Sequence, residues 1–120
     1  MVNKQDFLNS ITEDITMVRG DTLAFSFILE GLESYEDLRV SFAVVEHYND
    51  VPIILVDNDN GITLESVTEG KALFTVGVAP EFTRDMELGR YYYDLSFTDG
   101  DNVVTLMRGH FTLVYDVRKG

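Results

Sequence analysis

The 120-residue sequence predicts an all-β protein: a sandwich of two sheets made from about seven or eight antiparallel strands, with one short helical turn. Three observations predict it. Apolar and polar residues alternate over short segments, the period-2 signature of half-buried strands. Those segments are separated by glycine, asparagine and aspartate clusters that favour turns. The stretch Leu88–Gly100 places Tyr91, Tyr93, Leu95 and Phe97 on one face and Tyr92, Asp94 and Ser96 on the other. Four large apolar groups on one face need a second layer to cover them.

In chain order, residues 1–13 are polar, with Phe7, Leu8 and Ile11 at helical spacing, and read as an N-terminal arm or short helix. The sandwich domain is expected over 14–117. It opens with Asp14–Val18, Ile15 and Met17 sharing a face. Arg19-Gly20-Asp21 reads as a hairpin turn, although the same tripeptide is the integrin-adhesion signature. Thr22–Leu29 turns Leu23, Phe25, Phe27 and Leu29 inward. Residues 30–37 form an acidic loop. Leu38, Val40, Phe42 and Val44 are the inward face of the next strand. Pro52 cannot donate to a ladder, so the segment Val51–Val56 begins at Pro52 or lies on an edge.

Asp57-Asn58-Asp59-Asn60-Gly61 is a tight turn. Ile62–Glu65 and Lys71–Val78 flank a Glu69-Gly70 turn and form a hairpin, with Ala72, Phe74, Val76 and Val78 on one face. Residues 79–87 are a helical turn crossing between sheets, Pro80 suiting a first helical position and Glu81 the positive end of the helix dipole. After the long strand, Asp99-Gly100 reverses the chain. Val103–Val117 is the final strand, with Phe111, Leu113, Tyr115 and Val117 on one face and Gly109 marking a bulge or bend. Arg118-Lys119-Gly120 is a short basic tail. The spacing Glu87-x-Gly89-x-Tyr91-x-Tyr93 matches the tyrosine corner of immunoglobulin-like sandwiches, where a tyrosine hydroxyl returns to the backbone of the preceding loop. The architecture expected is therefore immunoglobulin-like, with Leu88–Gly100 as its strand F.

Composition narrows the function classes. The net charge is −12, from 21 Asp plus Glu against 9 Lys plus Arg. Such a surface repels nucleic-acid phosphates and anionic membranes, so neither is expected as a partner. No apolar run approaches the ~20 residues of a membrane-spanning helix. Met1–Asp6 lacks the apolar core of a signal peptide, and a cytoplasmic origin is expected. There is no cysteine, so disulfides and thiolate metal sites are excluded.

The chemistry-bearing patterns are sparse. Asp57-x-Asp59-x-Gly61 resembles the start of a calcium loop, but glycine stands at the fifth position and Thr68 at the twelfth, where ligands are needed. His47 and His110 are the only histidines, and neither has a second histidine at ligand spacing. No Gly-x-Ser-x-Gly elbow or phosphate-cradling glycine loop occurs. We therefore expect no enzyme, no catalytic residues, no metal and no cofactor. The candidate interface residues are the aromatics Tyr35, Tyr48 and Tyr92, with Asp94 beside the last, because exposed tyrosine suits binding surfaces. An aromatic platform on one sheet face would make a carbohydrate- or protein-binding module. A hydrolase would instead show clustered acids of raised pKa in a cleft.

Several segments together resemble the small β-sandwich domains of tailed-phage and prophage virion proteins, above all the N-terminal domain of baseplate upper proteins. They are Val18–Phe27 with its Arg-Gly-Asp-Thr turn, Val40–Val44, Gly89-x-Tyr91-x-Tyr93-Asp94-Leu95, and Thr105-Leu106-x-x-Gly109-x-Phe111. The resemblance implies a non-enzymatic structural protein of a tail, baseplate or head–tail region. It would be assembled in the host cytoplasm and located in the virion. Its partners would be other virion proteins and further copies of itself, met through sheet faces and loops.

Overall fold

The computed structural model describes residues 11–48 and 50–115. The chain runs β1 (Ile11–Thr12), β2 (Ile15–Val18), β3 (Leu23–Glu30), β4 (Arg39–Val45), β5 (Ile54–Asp57), β6 (Ile62–Thr68), β7 (Lys71–Val78), a 3₁₀ turn at Pro80–Phe82, β8 (Gly89–Asp99) and β9 (Asn102–Val114). One sheet has the order β1-β9-β8-β4-β5, with β2 also on β9; the other has the order β3-β7-β6. This is the immunoglobulin-like division, a GFC sheet (β9, β8, β4) extended by β5 on one edge and by β1 and β2 on the other, against a BED sheet, with β8 as strand F. The Pro80–Phe82 turn carries the chain from one sheet to the other.

Alternation explains the core. Val40, Phe42 and Val44 from β4, Tyr91, Tyr93, Leu95 and Phe97 from β8, and Ala72, Phe74, Val76 and Val78 from β7 are all buried. Phe42 lies at the centre, its ring 5.7 Å from Phe25, 5.5 Å from Tyr93 and 6.2 Å from Phe111. These separations are in the favourable range for tilted and edge-on aromatic pairs. Phe27 stacks on Phe74 at 5.3 Å. The tyrosine corner forms as the spacing implied: Tyr91 Oη donates to the Glu87 carbonyl at 2.7 Å.

The N-terminal segment differs from the expectation. The sheet begins before residue 14, since Ile11–Thr12 is already strand; residues 1–10 lie outside the described residues. β1 and β2 run parallel to β9 in one continuous register, Ile11 opposite Met107 and Val18 opposite Val114. The ladder is interrupted at Glu13-Asp14. A regular parallel ladder would give the Glu13 carbonyl the N–H of His110. Here the Asp14 carboxylate accepts that N–H at 2.9 Å, and the Glu13 carbonyl accepts the Tyr93 hydroxyl at 2.6 Å. Two side chains thus satisfy the groups the break sets loose. Gly109 fits this crossing: a Cβ there would collide with the Glu13 carbonyl oxygen.

Gly109 is therefore a site of close backbone approach, and the bulge expected there lies three residues earlier. Ser96 faces Thr105 and Leu95 faces Met107, leaving Leu106 as the extra residue. An uninterrupted alternation from the Asp99-Gly100 turn would aim Arg108 and His110 at the core. The bulge turns both outward and brings Phe111 and Leu113 inside. β9 ends at Val114, so Tyr115 falls beyond it and is exposed; Val117 and the basic tail lie outside the described residues. β6 runs to Thr68, three residues past the expected end, because a bulge at Glu65 resets its alternation. β5 starts at Ile54, two residues after Pro52, and lies on the sheet edge.

Candidate interaction face

The outer face of the large sheet gathers most of the residues proposed for recognition. On β8, Tyr92 and Asp94 point away from the core because Tyr91, Tyr93 and Leu95 point into it. Registers then fix their neighbours. Tyr92 lies between Val45 on β4 and His110 on β9. Beyond Val45 comes Ile53, whose N–H donates to the Val44 carbonyl. The next row runs Leu55, Ala43, Asp94, Arg108. The face is apolar toward the β5 edge and polar toward β9.

Tyr48, 74% exposed, leans over this face from the loop after β4. Its ring is 4.4 Å from that of Tyr92, tilted by 30°, and Tyr92 is 5.3 Å from the His110 imidazole. The line Tyr48–Tyr92–His110 ends on Asp14, whose carboxylate is 3.3 Å from His110 Nδ1. The His110 backbone N–H holds the Asp14 carboxyl below its ordinary pKa, helped by the imidazole and by Arg90. Asp94 is pushed the other way: partial desolvation among its neighbours raises its carboxyl above the usual value. No ion pair joins it to Arg108 across the strands, among the described residues.

Basic residues are concentrated on this face. Arg39, Arg90 and Arg108 project from it, half of the lysines and arginines in the described residues, the others being Arg19, Lys71 and Arg84. Asp14, Asp57 and Asp94 oppose them, and Asp59 reaches Arg39 from the turn after β5. The remainder of the chain carries the acidic excess.

Tyr35 does not join the others. It is 5% exposed, and its hydroxyl donates to the Gly70 carbonyl at 2.7 Å and accepts the Leu32 N–H. The acidic loop folds over the end of the sandwich, and Tyr35 ties it to the β6–β7 turn. It is a core residue and is withdrawn as an interface candidate. The Arg19-Gly20-Asp21 turn is also fastened: Arg19 donates to the Met86 carbonyl at 3.1 Å, and the Gly20 N–H donates to the buried Thr83 hydroxyl at 2.8 Å. In the Asp57–Gly61 turn both aspartates face Arg39, Asp59 at 3.0 Å and Asp57 at 3.8 Å. Asn58 bridges the Leu38 carbonyl and the Val40 N–H, extending the β4 ladder with a side chain.

Sequence reasoning missed His110, Asp14, Ile53 and Leu55. The two β5-side residues were readable from alternation about Ile54 and Val56. The outward side of His110 follows from the alternation at Phe111 and Leu113, but its place opposite Tyr92 does not, because that register depends on the Leu106 bulge.

No family model matches this sequence, and no curated protein matches it. Among solved structures, a family 123 glycoside hydrolase from Clostridium perfringens, studied for glycolipid glycan hydrolysis, superposes with a TM-score of 0.59 at 15% identity, over 95% of this chain and 24% of that one. The chain thus spans about a quarter of the hydrolase, and the likeness is one of fold. Murine CRIg is also similar, with a TM-score of 0.41 at 17% identity, over 85% of this chain and 92% of that one.

Proposed function

We propose that this chain is a non-enzymatic assembly module that binds other proteins through the outer face of its large sheet. The observation that carries this reading is the nearly charge-neutral, partly apolar field around Tyr92 on a chain of net charge −12. Such a field lets a partner approach without the repulsion the rest of the surface imposes. Tyrosine and arginine are enriched at the energetic centres of protein interfaces, and both occur here. The resemblance of the Val18–Phe27, Val40–Val44, Gly89–Leu95 and Thr105–Phe111 segments to baseplate-type domains supports a place in a phage or prophage particle, with other virion proteins as partners.

A carbohydrate-binding role fits the same face less well. A sugar platform needs aromatic rings lying open side by side, whereas Tyr48 stacks over Tyr92 and His110 flanks its other side. The test is co-purification of the tagged chain with the products of its neighbouring genes, set against Tyr92→Glu. The expected result is a complex that the variant loses while keeping its melting temperature. Retention of an oligosaccharide array by the wild type, or a complex indifferent to Tyr92→Glu, would overturn the proposal.

A further inference from the structure

Among the described residues the two sheets have four edges, and three are defended against strand pairing. β5 is only 4 residues long and follows Pro52. β1 and β2 are interrupted at Glu13-Asp14. β6 carries the Glu65 bulge and ends beside Glu69. Short length, bulges and charges are the ordinary means of keeping an edge from pairing. β3 has no bulge, no proline and no charge before its last residue, Glu30. Its 8 residues run in unbroken register with β7, Leu23 opposite Val78 through Glu30 opposite Lys71. Residues 22–29 carry no charge and no proline. On the side away from β7, no hydrogen bond reaches its backbone among the described residues.

The side chains repeat the message. Phe25 and Phe27 point toward the core yet stay half-buried, whereas Phe74 and Val76 on the adjacent strand are fully buried. Ile28 is 62% exposed on the outer face. The described N-terminal strand, which could have covered this edge, is bonded along its length to β9 instead.

We propose that the β3 edge is a self-association site, at which β3 pairs antiparallel with β3 of a second copy. The choice of a second copy rests on charge and register. On so acidic a chain, two uncharged edges are the surfaces that copies bring together with least repulsion. Antiparallel pairing about a twofold axis at Ser26 sets Phe25 against Phe27, Ala24 against Ile28 and Leu23 against Leu29 of the partner copy. Inner residues meet inner ones and outer residues outer ones, as the alternation of sides requires. The pairing is isologous and closes at two copies. The two small sheets become one continuous sheet of 3 plus 3 strands. The site is separate from the Tyr92 face, so a dimer of this kind leaves that face open.

The absence of cysteine makes the test direct. Ser26→Cys puts a thiol at the proposed axis; Ser66→Cys, on exposed and bulged β6, is the control. Directly opposed residues of paired strands lie close enough for a disulfide. The expected result is disulfide dimers from Ser26→Cys forming about tenfold or more faster than from Ser66→Cys. In sedimentation, Ser26→Lys should weaken the wild-type dimer by about tenfold, because the two lysines meet at the axis, while Tyr92→Glu leaves it unchanged. Equal crosslinking rates for the two cysteine variants would overturn the proposal. So would a dimer indifferent to Ser26→Lys, or amide protection of β3 in a monomer that is lost on removing residues 1–10. Failure of the Tyr92 proposal would appear instead as an unaltered heterologous complex in Tyr92→Glu.

Discussion

Tyr93 and Tyr92 are neighbours on one strand, and they do opposite work. Tyr93 faces inward, is buried, and gives its hydroxyl to the Glu13 carbonyl 80 positions away in sequence. Tyr91 does the same for Glu87. Tyr92 faces outward and uses its ring, stacked between Tyr48 and His110. The residue type is the same, and the parity of the strand decides which half of the phenol matters. Inside, the hydroxyl is the part that works, fastening the strand to the backbone of a distant or preceding segment. Outside, the aromatic body offers area that gains from being covered.

Substitutions on each side should break this contrast to different degrees. The largest effect is expected from Gly109→Val, which crowds the Glu13 carbonyl where Tyr93 reaches it. The variant should lose about 3 kcal/mol in urea unfolding, with β1 and β2 detached from β9. Tyr93→Phe comes next, at about 1 kcal/mol, because it removes one hydrogen bond and keeps the ring.

The same hydroxyl has a pH signature. Burial pushes the Tyr93 phenol from 10.0 up to about 12, with the nearby Glu13 and Asp14 charges adding to the rise. The folded chain keeps its proton in the range where the unfolded chain has released it. The stability tied to this group is complete below pH 10 and is lost as pH climbs toward 12. Alkaline unfolding of the wild type should therefore steepen in that window, and Tyr93→Phe should flatten it. On the outer side, Tyr92→Ala should change stability by no more than about 0.5 kcal/mol while abolishing partner binding. Smallest of all is Arg39→Ala. Its exposed pairs with Asp57 and Asp59 should contribute less than about 0.5 kcal/mol by thermal melting.

Where one strand's own alternation set the outcome, the sequence was enough to read it. The inner faces of β3, β4, β7 and β8, the tyrosine corner, and the outward placement of Tyr92 and Asp94 all follow from counting by twos. Tertiary pairing hid the rest. Nothing local in Ile11–Val18 says that its neighbour is β9 or that the pairing is parallel. Tyr35 sits among acids, which reads as a solvated loop, but Leu32 and Leu38 on either side draw the loop down onto the sandwich. Counting back from Phe111 turns His110 outward, but its place opposite Tyr92 depends on the extra residue upstream. The outer face was thus half legible: which side chains point outward was readable, and which of them the pairing of β9 and the N-terminal strand brings together was not.

The Leu106 bulge also decides where the chain tolerates a lost codon. Excising Leu106 would restore a regular ladder between Ser96–Thr105 and Leu95–Met107, and every later side chain would keep its present side. β4 carries no such spare position against either neighbour. The same excision within it would turn part of the Val40, Phe42 and Val44 series out to water. Length variation among natural or engineered versions of this domain should therefore collect at the β9 bulge and stay out of the central strands.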